Sequence, residues 1–127
     1  MNPLIDVDAL TQSVYGGDVT RALLYTTADN PGTRVVRVAM ATAEPGRGGQ
    51  LHHHPKTDET YFVVSGQAEL EFDGRIHRLG PSSCVRIPRG TKHRISNTGT
   101  ETLRYLAFHI GDADFRGEVE HVKAARP

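Results

Sequence analysis

The segment GRGGQLHHHPKTDETYFVVSG, residues 46–66, sets three histidines, two acids and a run of β-branched and aromatic residues between glycine-marked turns. Strand side chains alternate between faces, so His52 and His54 point one way and His53 the other. Two residues of strand rise separate the Cα atoms of His52 and His54 by about 6–7 Å, a span from which two imidazoles can lean onto one cation. With an ordinary pKa of about 6.5, imidazole is mostly neutral at pH 7 and ready to ligate. Glu59 opens the next strand, ETYFVVS, and a turn through PKTD brings its carboxylate toward the same point. Taken alone, three adjacent histidines also fit a solvated surface cluster that picks up metal adventitiously.

Outward from this segment, the chain continues as short runs rich in Val, Ile, Tyr and Phe separated by Gly, Pro and Asp, the pattern of an all-β sandwich or barrel. Strands are expected at 19–26, 34–41, 50–54, 59–65, 67–72, 75–79, 83–87, 93–97 and 103–110. Asp73-Gly74, between AELEF and RIHRL, marks a two-residue hairpin turn that requires positive φ at both positions. Residues 5–17 have room for one or two helical turns capped by Asp6 or Asp8. The segment DFRGEVEHV spaces Phe115, Val119 and Val122 as a short amphipathic helix does.

A second chemistry-bearing stretch, IPRGTKHRISN, uses Pro88 and Gly90 to shape a turn before His93 starts another strand. At this point the sequence resembles the cupin superfamily. The first family motif is a Gly, five residues, His-x-His, three or four residues, Glu, six residues and Gly; Gly46, His52, His54, Glu59 and Gly66 meet it in register. The second motif, a Gly, five residues, Pro-x-Gly, two residues, His, three residues and Asn, is met by Pro88, Gly90, His93 and Asn97. Ser82 stands where its first glycine belongs. The resemblance covers residues 46–97 by motif.

The resemblance implies a cupin double-stranded β-helix, a jelly-roll barrel with short terminal helical segments, forming a single domain over 1–127. It also implies one metal ion on His52, His54, Glu59 and His93. Asp58 is the alternative acid, since the family permits the shorter spacing, but Glu59 is the residue seven before Gly66. Three imidazoles and a carboxylate, with no sulfur, suit one divalent transition metal among Fe(II), Mn(II), Ni(II), Cu(II) and Zn(II). Its roles would be Lewis-acid polarisation of a substrate oxygen, activation of water or binding of O2. By analogy with stand-alone cupins of this size, the expected function is a metal-dependent enzyme of a biosynthetic pathway acting on a small organic molecule, of cyclase, isomerase/lyase or dioxygenase type. The competing class is a non-catalytic cupin that binds or senses a small ligand.

Alternation nominates further residues. Tyr61 shares the face of Glu59, placing it to donate a proton or orient substrate. In RYLAFHI, if Leu106, Phe108 and Ile110 pack in the core, Tyr105 and His109 face the cavity. Each of the three also has a purely structural reading, as a core tyrosine or a strand-bridging histidine. Arg37 is a candidate for an anionic substrate, with a surface arginine as the plainer expectation. Cys84 reads as a small buried apolar residue.

Composition bounds the rest. Lys plus Arg and Asp plus Glu are 15 each, so no broad field steers the chain toward nucleic acid. A single cysteine excludes an internal disulfide. The start MNPLIDVDAL lacks a basic-then-apolar signal and no membrane-length apolar run follows, which gives a soluble, cytoplasmic protein as the expectation. No G-x-S-x-G elbow or phosphate-binding loop is present. The resemblance adds a homodimer, with outward apolar residues such as Phe62 and Val64 available for pairing.

Overall fold

The computed structural model describes residues 4–14, 19–26, 34–111 and 120–121. Its elements are a 3-10 turn (Val7–Ala9) followed by β1 (Ser13–Val14), β2 (Thr20–Thr26), β3 (Val35–Ala43), β4 (His52–His53), β5 (Thr57–Ser65), β6 (Ala68–Phe72), β7 (Arg75–Leu79), β8 (Cys84–Ile87), β9 (His93–Asn97), β10 (Leu103–Gly111) and β11 (Glu120–His121). They form two antiparallel sheets, in the orders β1-β2-β3-β10-β5-β8 and β11-β4-β9-β6-β7. This is the expected jelly-roll sandwich.

Hydrophobic alternation explains which face of each strand turns inward. On β6, Ala68 and Leu70 are buried while Glu69 and Glu71 are half-buried, and on β9 Ile95 lies between exposed Arg94 and half-buried Ser96. Leu70, Ile95, Ile87, Leu103, Val63, Tyr61 and Tyr105 build the core between the sheets. Fully burying a side chain the size of Leu70 contributes about 1.5–3 kcal/mol.

Turn chemistry fixes the connections. Asp73 and Gly74 have φ of 49° and 80°, the left-handed pair that a two-residue hairpin needs, and Phe72 pairs with Arg75 across it. Gly66 has φ of 87°, and a Cβ there would stand 2.6 Å from the Thr102 carbonyl oxygen, so a glycine is required both by conformation and by space. Ser82, which replaces the motif glycine, has φ of 69°. The backbone therefore keeps the glycine-like form at that turn, and the Ser82 N–H still donates to the Val63 carbonyl at 2.9 Å.

Several expectations need correction. The apolar set Leu106, Phe108 and Ile110 faces outward and is half-buried to exposed, while Tyr105, Ala107 and His109 fill the interior. Cys84 is exposed on the edge strand β8. Arg37 is buried, because its strand position puts it on the inner face. The amino-terminal helical expectation reduces to the three-residue turn capped by Asp6, whose side chain accepts from the Asp8 N–H, and Ser13–Val14 is strand. Of the carboxy-terminal helix, residues 112–119 and 122 lie outside the described residues, and Glu120–His121 pairs with His53 and His52 as a strand.

Candidate metal centre

Three short runs of backbone bring the site together. β4 and β9 meet through one pair, His52 with His93, and paired residues project to the same face. Their ring centroids are 4.3 Å apart. His54 follows β4 and is held in place by its carbonyl, which accepts from the Gly90 N–H at 2.8 Å. Pro88 and Gly90 thus position His54 as well as His93. Glu59 enters from β5 in the opposite sheet.

These four residues are all buried, and one ligand atom from each lies within 4.8 Å of the others. The His52 Nδ1–H donates to the Gln50 carbonyl at 2.6 Å and the His93 Nδ1–H to the Thr91 carbonyl at 2.8 Å. Each ring therefore presents Nε2 inward. His93 Nε2 stands 2.8 Å and His54 Nε2 3.2 Å from the same Glu59 oxygen, Oε1. Two imidazole nitrogens gathered within 3.2 Å of one carboxylate oxygen make a compact N/O donor cluster. The donor set therefore fits a metal.

Electrostatics keep these groups in ligating form. Burial, then the charge of His93, lowers the His52 imidazole to about 3 despite the opposing pull of Glu59. Burial pushes the Glu59 carboxyl upward, but His109 above all, with hydrogen bonds from His54 and His93, outweighs it and holds the group well below 4.5.

The other candidates form a second layer. His109 pairs with Glu59 on one side and Arg37 on the other across adjacent strands. The His109 Nε2–H donates to Glu59 Oε2 at 2.9 Å, and His109 Nδ1 faces the Thr57 hydroxyl at 3.5 Å. Burial lowers the His109 pKa, while Glu59 raises it. The Tyr61 hydroxyl hydrogen-bonds Glu59; burial, then the Glu59 charge, drives its pKa well above 10. Tyr105 packs edge-on against Tyr61, with ring centroids 5.2 Å apart. Asp58 turns away from the cluster, and its Oδ1 accepts from Arg89 N at 2.9 Å and Arg89 Nε at 3.3 Å.

Sequence reasoning passed over Thr57 and Arg21. Thr57 lies two residues before Glu59 on β5, so alternation was signal enough. Arg21 shares the inner face with Ala41, its partner on β3, but an arginine on an amino-terminal strand gives no such signal.

Residues 39–109 match the Cupin domain family. Protein SchB of Streptomyces halstedii is 35% identical over 107 residues, which cover 84% of this chain and 75% of that protein. Polyketide synthase CurC of Streptomyces cyaneus is 30% identical over 112 residues, covering 88% and 70% respectively. The structure of the polyketide cyclase RemF from Streptomyces resistomycificus aligns with a TM-score of 0.81 over 98% of this chain and 88% of that one, at 22% identity. That last likeness is one of fold. With both motifs folded onto one buried cluster inside the matched span, the chain belongs to the cupin family.

Proposed function

We propose that this chain is a metal-dependent enzyme of a biosynthetic pathway that acts on a polyketide-type organic molecule, with cyclisation as the reaction class. The observation that carries this reading is the buried convergence of His52, His54, Glu59 and His93 within 4.8 Å. The name of the relative CurC, a polyketide synthase, supplies the substrate class by similarity. A divalent cation held by these four residues would polarise a substrate carbonyl and so acidify the adjacent carbon.

The chain's own residues would do the rest. His109 holds the second Glu59 oxygen and so fixes the carboxylate's orientation. Tyr61, kept protonated by burial and by Glu59, is a hydrogen-bond and proton donor next to the cluster. The surrounding apolar core excludes water, which strengthens each of these interactions.

Elemental analysis of the chain purified without a polyhistidine tag tests the first half of the proposal. The expected result is about one transition metal per chain, lost in Glu59→Ala. Incubation of the loaded protein with an aromatic poly-β-ketone precursor tests the second half. Cyclised product is expected, with kcat reduced about 100-fold in Tyr61→Phe while its metal content is unchanged. A chain that takes up none of Fe(II), Mn(II), Ni(II), Cu(II) or Zn(II) overturns the reading.

A further inference from the structure

Beyond the Glu59 layer the barrel interior holds a second group of polar atoms. Tyr105 on β10 pairs with Ala41 on β3 and Val63 on β5, and Ala41 pairs in turn with Arg21 on β2. Directly paired residues share a face, so Arg21 and Tyr105 flank Ala41 on the inner side of the six-stranded sheet. Adjacent strands lie about 4.8 Å apart. A guanidinium and a phenol on either side of a methyl group can therefore converge above it.

The positions around them are small. Ala39, Ala41 and Ala43 succeed one another on the inner face of β3, and Ala107 continues the set on β10; all four are buried. A packed sandwich ordinarily fills such positions with Val, Ile or Leu. Side chains this short put no bulk between Arg21 and Tyr105 across Ala41.

The Tyr105 hydroxyl shows what an occupant there must offer. Tyr105 is fully buried, and its hydroxyl has no hydrogen-bond partner among the described residues. Buried hydroxyls are almost always satisfied, because an unmet donor loses its hydration without compensation. Burial pushes this phenol up to about 12, with the Arg21 charge opposing and the Glu59 charge assisting, so the hydroxyl remains a donor at neutral pH. The Arg21 charge opposes the rise of the Tyr61 phenol as well.

We propose that Arg21 and Tyr105 form an oxyanion subsite over Ala41 that binds an anionic oxygen of the organic substrate, a carboxylate or an enolate. Tyr105 donates a hydrogen bond to that oxygen and Arg21 supplies the compensating charge. The subsite rests on the reading that the barrel takes a small organic molecule, and it sets the orientation of that molecule relative to Glu59. Arg21 and Tyr105 thus select for charge.

Binding calorimetry on the metal-loaded full-length chain tests this with matched probes: 2-naphthoate against 2-naphthamide for a carboxylate, and benzoylacetone against its 1,3-diol for an enolate. Wild type is expected to prefer at least one anionic probe over its neutral partner by about tenfold or more. Tyr105→Phe and Arg21→Gln should each reduce that preference to about twofold or less with neutral-probe affinity retained, and Arg21→Lys should keep part of it. Because the hydroxyl serves the ligand and not the fold, Tyr105→Phe should melt no lower than wild type. The proposal is overturned if wild type shows no preference for either anion, or if both variants retain it. A lower melting temperature for Tyr105→Phe with the preference intact also overturns it; should that variant not fold, Arg21→Gln decides. Metal content measured on the same samples separates the two readings: a metal-free chain with a charge preference loses only the metal proposal, and a metal-loaded chain without one loses only the subsite.

Discussion

His109 Nε2 lies 2.9 Å from Oε2 of Glu59, while His54 and His93 both approach the other oxygen, Oε1. The carboxylate is thus divided, one oxygen facing the motif histidines and the other tied to a neighbouring strand. His109→Ala should lower transition-metal affinity by about 10–100-fold without removing the site, the usual penalty for losing the partner of a ligand. Glu59→Ala should abolish stoichiometric binding. Competition against a fluorescent chelator reads both, and an unchanged affinity in His109→Ala would show that Glu59 is oriented by other means.

Acid should destabilise the metal-free chain in a defined window. His52 is held at about 3 when folded against 6.5 when free, so between those values the unfolded chain binds the extra proton and stability falls as pH falls. The slope from this group is roughly 1.4 kcal/mol per pH unit at most. Glu59, held below 4.5, adds to the loss below that pH. Melting curves from pH 7 to pH 4 should show the decline and His52→Gln should flatten it; a melting temperature that rises with acid contradicts the assignment.

Two glycines separate conformational strain from steric clash. Gly74 has φ of 80° with nothing within 4 Å of an added Cβ, whereas at Gly66 that atom would meet the Thr102 oxygen at 2.6 Å and the Leu103 Cα at 2.8 Å. Gly74→Ala should cost about 1–2 kcal/mol, the left-handed penalty alone. Gly66→Ala should cost more than about 3 kcal/mol, because backbone must move as well. Chemical denaturation measures both, and equal losses would refute the distinction.

Asn97 ties together three stretches of backbone. Its Nδ2 donates to the carbonyls of Ala43 at 2.8 Å and Glu101 at 2.7 Å, and its Oδ1 accepts from the Gly99 N–H at 2.9 Å. Asn97→Ala should lose about 2–4 kcal/mol, since buried partners are left unmet. Asn97→Asp should be no better, because its carboxylate would face two carbonyl oxygens. Denaturation midpoints test the pair; a loss below about 0.5 kcal/mol in Asn97→Ala would mean that water replaces the amide.

The strands were legible wherever apolar residues mark the inner face. His93–Asn97 falls at the expected bounds, and Arg75–Leu79, exposed along most of its length, was legible from the Asp73-Gly74 turn, which has the expected conformation. Strand β10 shows the limit. Its inner positions hold Tyr105, Ala107 and His109 because that part of the interior is a polar site, so the more hydrophobic set, Leu106, Phe108 and Ile110, is left outside. Hydrophobicity identifies the inward face only where the interior is itself hydrophobic. The motif spacing was enough to nominate the four clustered residues. The partners of Glu59 depend on β5 lying beside β10, which no local pattern encodes. The same holds for Glu120 and His121, which lie within the stretch expected to be helical and pair with β4 instead.

β4 joins β9 through the single pair His52–His93. Its register is held from either side, by the Gly49 N–H donating to the Ile95 carbonyl at 3.0 Å and the Gly90 N–H to the His54 carbonyl at 2.8 Å, because a displacement by one residue inverts every side chain. In the slipped strand His53 would turn into the barrel while His52 and His54 faced solvent, exchanging a bidentate claw for a lone imidazole. Three consecutive histidines thus offer no spare ligand; they make the alignment of this short strand an all-or-nothing condition for grasping an ion.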